Sequence, residues 1–589
     1  MNPGAIKFRL SDYFWPFGVS LLTGLISLYV ATLGLFALGV SITRCHMLAF
    51  LLPAGGAAWL ALAGVATARI KSVARLLLVQ VSIMGLLTAV AAQFDDLSWD
   101  GMGARIEPII AISSGWNPVK DREGVSLTEL AQTHSYLQGS VNAALGQQHT
   151  LGCVLSSNLC FWSGSLNAGK AITPLLALGA FGIVFGALIS LSLPFGWALT
   201  LALLASLNPV AIYQSSSYYI DGHTACLFTA MIFSALRLLV APLDTIGVLA
   251  MVVSFLGLSA AKTSGVLYGG IIDMIFMVFY AATHLKKLKP ILIFLAVSAL
   301  ITWPAGILFR KFGGFPSLSL AYLQVAAGNG PGYGVGGGAS EVQALLKLDK
   351  LQTFLVSYFA PSDSIPKRLE TKFPFYFNRR ELALFEDLSP DPRAGGFGPL
   401  YGGCLLLAVA SAGMILLGRA PPMAALFPMV PILLSVGATQ TWWARWAPQG
   451  WLIPVAFLLP VLCSLRHVPP GPRWFLPLVT LFAGLLNSVL VLVFYSVGCV
   501  KVQRVLFSQF TFLKSLSQPL SVHIPIFHSN RTWFRREGLD FRLTEQVPPA
   551  PRLKLVRTNT RVELPANWEG KVENADILRE WEKRGLLEK

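Results

Sequence analysis

Apolar runs of about 20 residues recur along most of the chain, separated by short polar stretches. A bilayer core about 30 Å thick needs around 20 apolar residues per helix, so each run predicts a membrane-crossing helix. The runs lie near 18–40, 47–66, 74–93, 171–192, 197–213, 223–241, 246–261, 265–283, 290–307, 401–418, 423–440, 450–465 and 474–497. Shallow breaks such as SLPFG at 192–196 put the expected number between eleven and thirteen. No small-residue cleavage site follows the first run, which therefore reads as a retained helix and not a signal peptide. Beyond Val500 the pattern changes to charged sequence with short apolar stretches such as SVHIPIFH, ending in the helical-looking ADILREWEKRGLLEK. The expected architecture is an all-α polytopic membrane domain over 1–497, with large non-cytoplasmic loops at 94–170 and 308–400. A small soluble α+β domain follows over 498–589.

Composition agrees with the pattern. Of 589 residues 54% are hydrophobic and 13% charged, with a mean hydropathy of +0.62, whereas soluble domains carry roughly a quarter charged residues. Lys7 with Arg9, Arg69 with Lys71 and Arg75, Lys286 with Lys287 and Lys289, and Arg466 with Arg473 fall on one side when the helices alternate. By the positive-inside rule that side is the cytoplasm, and the N-terminus lies there. The stretches 94–170, 214–222, 308–400, 441–449 and the tail then lie on the other side. The net charge of +16 is matched to anionic lipid and calls for no nucleic acid.

Carboxylates are scarce in such a chain, yet FDDLSWDGMGARIEPIIAISSGWNPV (94–119) places Asp95, Asp96 and Asp100, then Arg105 and Glu107, where an apolar run ends. Exposed acidic residues are often just wet. A carboxylate at the mouth of a cavity between helices can instead act as a base or hold a cation. Adjacent Asp95 and Asp96 point apart in most conformations, so Asp95 reads as the solvated one. Asp100, four residues beyond Asp96, shares its face if the segment stays helical, before Gly101 and Gly103 break the helix. Other polar groups gather on the same side: Gln214, Tyr218, Tyr219, Asp221 and His223 in NPVAIYQSSSYYIDGH, Lys262 in LSAAKTSG, and Arg445 and Gln449 in TWWARWAPQGW. Trp442 and Trp443 read equally as interfacial anchors. Arg445 among indoles is suited to grip a phosphate through two parallel hydrogen bonds.

WDG followed by ARIEPIIAISSGWNP resembles the first periplasmic loop of bacterial members of the GT-C glycosyltransferase superfamily. LNAGKAITPLLALGA, NPVAIYQSSSYYIDG and WWARWAPQGW resemble further segments of such proteins. The resemblance covers roughly 94–270 and 435–455. It implies a polytopic inner-membrane enzyme, related to protein mannosyltransferases, aminoarabinose transferases and oligosaccharyltransferases. Such an enzyme moves a sugar from a polyprenyl-phosphate donor to a glycan, lipid or protein acceptor on the periplasmic face. Asp100 matches the family's loop aspartate, with Asp96 as its rival. Ala104–Arg105 stands where relatives often carry an aromatic–His pair. The chemistry is self-consistent: the donor carries a good leaving group, so one carboxylate base and one cation suffice, and attack opposite the phosphate inverts the anomeric centre. Asp100 or Asp96 would be the base. Arg445, Lys262 or Arg105 would hold the donor phosphate, and Tyr218, Tyr219, Asp221, Gln449 and Glu107 would contact substrate. Mg²⁺ or Mn²⁺ on Asp96 and Asp100 is the one cofactor these residues suggest.

Other features weigh less. AAGNGPGYGVGGG (326–338) lacks the Lys-Ser/Thr of a phosphate-binding loop and reads as a flexible loop, with an active-site lid as the minority reading. Asp273 falls inside a predicted helix, where a charge costs about 2.5–3.5 kcal/mol and so faces a wet cavity or the bundle interior. Cys153 and Cys160 share an outer loop and read either as a disulfide or as two buried thiols. Asn530-Arg531-Thr532 matches a glycosylation sequon by a pattern common by chance. A transporter or flippase of lipid-linked saccharide would also use a cavity, an intramembrane Asp and basic groups, but near the midplane on broken helices. A polymerase or ligase of lipid-linked oligosaccharides shares the transfer chemistry.

Overall fold

The computed structural model describes residues 11–62, 69–118, 150–241, 244–284, 350–362, 371–377, 381, 390–413, 427–437, 443–466, 468, 471–517, 519–525, 528–572 and 574–588. The predicted helix at 290–307, the glycine-rich stretch 326–338 and Trp442 lie outside the described residues.

The remaining predicted helices all fall on observed ones. The first three are α1 (Ser11–Ala37), α2 (His46–Ala61) and α3 (Arg69–Ala91). The stretch 94–170, expected as a loop, itself carries α4 (Ile106–Ser113) and α5 (Thr150–Ser163), and after it come α6 (Ile172–Ser190), α7 (Phe195–Ser206) and the short α8 (Pro209–Tyr213). Then follow α9 (Asp221–Val240), α10 (Thr245–Ala261), α11 (Thr263–His284), α12 (Lys350–Tyr358), α13 (Tyr401–Gly413), α14 (Met429–Val436) and α15 (Leu452–Leu465). The 40-residue α16 (Phe475–Lys514) is about 60 Å long at 1.5 Å per residue, twice a bilayer core. Among the described residues seven helices are long and apolar enough to cross a membrane, and four more are apolar but shorter. The chain is a helical membrane protein.

Small residues set a close crossing between α1 and α6. A β-carbon on Gly18 of α1 would collide with the backbone of Gly179 and Ile183 in α6, and one on Gly182 would strike Gly18. Without a hydrophobic drive between helices in lipid, such backbone approach is what holds them together. Lys262 caps the C-terminal end of α10, and its extended backbone breaks the chain between α10 and α11. Lys262 and Asp273 therefore do not share one helix.

The tail carries the α+β unit expected, but it starts later than 498, because α16 runs on to Lys514 and the first strand begins at Leu520. Strands β1 (Leu520–His523), β2 (Phe541–Leu543), β3 (Arg552–Lys554), β4 (Arg561–Glu563) and β5 (Leu587–Glu588) form a sheet in the order β2-β1-β4-β3-β5. Only the β1–β2 pair is parallel. Helices α17 (Arg531–Arg536) and α18 (Ala575–Lys583) flank it. Its core, including Val522, Phe534, Leu553, Val562 and Trp581, is continuous with Leu97 and Met102 of the first loop and with Phe510 and Leu513 of α16. The tail thus sits on the same end of the bundle as the first loop. Asn530 of the sequon is fully buried and donates to Thr560 Oγ1 at 2.9 Å.

Candidate functional site

The first loop leaves α3, turns through 95–100, and enters a π-helical turn at Gly101–Arg105 that runs on into α4. The two glycines therefore do not end the helix. Gly101 serves close approach: a β-carbon there would sit against Asp96 Oδ2 and Ser98 Oγ. The three aspartates of this loop part company.

Asp95 is not solvated. Its side chain is 2% exposed and accepts from Arg536 Nη1 at 2.6 Å and Nη2 at 3.1 Å, from Asn167 Nδ2 at 2.9 Å and from Gln503 Nε2 at 2.9 Å. Burial alone would raise its pKa, but the hydrogen bonds and charge of Arg536 win and hold it below the usual carboxylate range. Asp96 is buried as well. Its Oδ1 accepts from Ser98 N (2.9 Å) and Ser98 Oγ (2.5 Å), and its Oδ2 accepts from Tyr218 N (2.7 Å). It pins the loop to the Tyr218 strand of chain. Burial raises its pKa against the pull of Lys170 and these hydrogen bonds. The adjacent pair does point apart, but Asp96 serves the backbone and does not share a cavity face with Asp100.

Asp100 alone reaches a charged cluster, with its side chain 40% exposed. Arg445 Nη1 donates to its Oδ2 at 3.0 Å. The same guanidinium holds Asp391 Oδ1 at 3.2 Å and Asp221 Oδ2 at 3.8 Å from Nε, and it stacks over the rings of Tyr219 (4.9 Å) and Trp443 (5.0 Å). Lys262 Nζ donates to Asp221 Oδ1 at 2.6 Å and lies 4.3 Å over the Trp446 ring. Tyr219 Oη accepts from Asp100 N at 3.4 Å.

Local sequence explains how each group is held. Asn208 accepts from Val210 N at 3.0 Å and starts α8. Gln214, just past that helix, accepts from Gly222 N at 2.7 Å and donates to Asp221 Oδ2 at 3.2 Å, which sets Asp221 at the first turn of α9. A carboxylate there also meets the positive end of the helix. Arg445 lies in a turn laced to the chain at 391–393: Ala444 N donates to Arg393 O at 3.2 Å and Arg445 N to Pro392 O at 3.3 Å. Trp443 is buried, and its Nε1 donates to Asp391 Oδ1 at 2.7 Å, so it is a hydrogen-bonding wall of the site and not an interfacial anchor. Burial pushes the Asp391 pKa up, while Arg445, Arg393 and the Trp443 bond oppose the rise. Arg445, beside three carboxylates, is held charged with its pKa raised despite burial.

Five of the predicted site residues thus meet: Asp100, Tyr219, Asp221, Lys262 and Arg445. The others do not join them. Tyr218 is buried and donates its hydroxyl to Leu166 O. Gln449 is buried and donates to Leu434 O at 2.9 Å. Glu107 is buried in the electrostatic field of Arg531 from the tail, with its pKa pushed up to about 7 by that burial. Arg105 meets the Cys153 thiol in a separate small cavity lined also by Lys170 and His223. Cys153 and Cys160 are both free, two turns apart on α5, where their thiols cannot meet. Asp96 and Asp100 are directed to different partners, Ser98 and Tyr218 against Arg445, and among the described residues no three His, Cys, Asp or Glu side chains gather as a metal site.

Sequence reasoning missed Asp391. Its signal was modest: PDPR (390–393), an Asp between two prolines and an Arg after them, in a long outer loop.

Compared with known protein families, with characterised proteins and with solved structures, the chain matches none. Fold and site together define a helical membrane protein with a largely buried cluster at one end of its bundle, three carboxylates set against Arg445, Lys262 and Arg393, and one of those carboxylates 40% exposed.

Proposed function

We propose that the chain is a membrane glycosyltransferase. It moves a sugar from a polyprenyl-phosphate donor to a cell-envelope glycan, lipid or protein acceptor at the end of the bundle that carries the tail, taken as the periplasmic face. The observation that carries the reading is the pairing of partly exposed Asp100 with the less exposed Arg445, two residues 345 positions apart that the same chemistry requires together.

Asp391 and Asp221 lie 3.2 and 3.8 Å from Arg445 Nε and hold the guanidinium by charge, without a hydrogen bond to Nε, while its Nη1 can exchange one anionic partner for another. A donor phosphate taking Nη1 releases Asp100. Asp100 then accepts the proton of the acceptor hydroxyl as that oxygen attacks the anomeric carbon. The bond from that carbon to the phosphate oxygen breaks, its electron pair leaves with the phosphate, and Arg445 and Lys262 offset the charge. One base attacking opposite the leaving group inverts the centre.

The transporter reading has one observation on its side: Asp273 lies within α11, and its Oδ1 is buried without a hydrogen-bond partner. One experiment separates the two. Full-length protein in liposomes is given a short-chain polyprenyl-phosphate sugar and envelope extract as acceptor. Release of free polyprenyl phosphate, lowered about 10²–10⁴-fold by Asp100→Asn, supports transfer. Movement of intact donor between leaflets, blocked by Asp273→Asn and untouched by Asp100→Asn, overturns it.

A further inference from the structure

A second feature lies away from the charged cluster. Where α3 ends, a groove of about 940 Å³ opens between the projecting part of α16 and helix α18 of the tail. Gln93 and Phe94 floor it, Lys501, Arg504, Phe507 and Ser508 come from α16, and Asp576, Ile577, Glu580, Lys583 and Arg584 come from α18. The wall is fixed, since Trp581 is fully buried and its Nε1 donates to Ser508 Oγ at 3.2 Å.

Its level along α16 follows from the sequence. Val493, Val497 and Val500 are 50%, 46% and 38% exposed on an apolar stretch, a surface that only lipid tails satisfy. Lys501 and Arg504 follow at once, so the groove begins where the hydrocarbon ends. Its charge is not balanced internally. Glu580 is committed to Arg584 at 2.6 Å and Asp576 to Arg579 at 2.5 Å, while among the described residues neither Arg504 nor Lys583 has an ion-pair partner. Phe507, 66% exposed, leaves an apolar surface beside these cations.

We propose that this groove holds the phosphate headgroup of an anionic bilayer lipid, with its acyl chains running down the Val493–Val500 face of α16. Cations at the headgroup level beside an apolar, lipid-facing stripe match both halves of such a molecule. The site needs only a membrane around the bundle and is independent of the transfer reaction.

Full-length protein in detergent is tested by native mass spectrometry against phosphatidylglycerol, phosphatidylcholine and inorganic phosphate. Wild type is expected to retain one phosphatidylglycerol in preference to phosphatidylcholine. The Arg504→Gln/Lys583→Gln double variant should bind it about thirtyfold more weakly, which is about 2 kcal/mol at 1.4 kcal/mol per decade. The Arg542→Gln/Lys571→Gln variant removes the same charge outside the groove and should bind as wild type. Melting temperatures of both variants equal to wild type exclude misfolding. Equal loss in the two variants, equal retention of phosphatidylcholine, or displacement by millimolar inorganic phosphate would each overturn the proposal.

Discussion

Asp95 and Arg536 join the first loop to the tail across 441 residues of chain, and breaking them should release the tail. The two ends of the pair are not equivalent. Asp95 is 2% exposed, while the Arg536 side chain is 45% exposed and partly screened by water. Arg536→Gln leaves Asp95 with Asn167, Gln503 and the nearby Lys170 charge, so the loss is discounted to about 1–2 kcal/mol. Asp95→Asn sets an amide NH₂ among three donating side chains in a buried site, and the lost charged hydrogen bonds cost about 3 kcal/mol. If the tail opens locally and recloses faster than protease cuts, cleavage within the tail follows the open population. Arg536→Gln should then speed cleavage about 5–30-fold and Asp95→Asn about 10²-fold. The double variant should cleave no faster than Asp95→Asn alone, because the two substitutions remove one interaction. The sign with pH is fixed as well. A carboxylate held below its unfolded pKa of about 3.9 stabilises above that value and loses the contribution as pH falls through its folded pKa. Wild-type protection should therefore weaken from about pH 5 downward, and Asp95→Asn should show less of that fall. Cleavage of Asp95→Asn at the wild-type rate would refute the clamp and return Asp95 to a solvated boundary group.

Further outcomes follow from the same contacts. Arg445→Lys keeps a charge but cannot hold Asp391 and Asp100 from two edges at once, so turnover should fall about 10²-fold or more with protein still folded, read as polyprenyl phosphate released. Gly101→Ala drives a methyl against the Asp96 carboxylate, and overpacking of about 1–3 kcal/mol should lower the melting temperature and displace Asp100. Glu107, with its pKa raised to about 7 by burial, stabilises the fold below the ordinary carboxylate value and loses that contribution as pH rises through 7. Glu107→Gln should flatten this fall between about pH 4.5 and 7 in a thermal-shift series, and an unchanged slope would place the titration elsewhere.

The helices were legible from the chain alone for a physical reason. A membrane helix satisfies its backbone within its own segment, so an apolar run of sufficient length carries the information locally. The change of pattern beyond Val500 announced the C-terminal α+β unit, though it falls inside α16 and the sheet begins only at Leu520, and five of the residues at the charged cluster were visible as costly polar groups near helix ends. What local sequence could not hold was which of them meet. Asp95, Asp96 and Asp100 look alike within six residues, yet one anchors the tail, one pins a backbone turn and one reaches Arg445. Their fates were decided by partners at 536, 218 and 445, and Asp391 entered the cluster only because its loop hydrogen-bonds to the turn carrying Arg445. Burial and charge pairing are properties of surfaces brought together from distant parts of the chain, so only the tertiary structure could separate three aspartates that the sequence presents as one cluster.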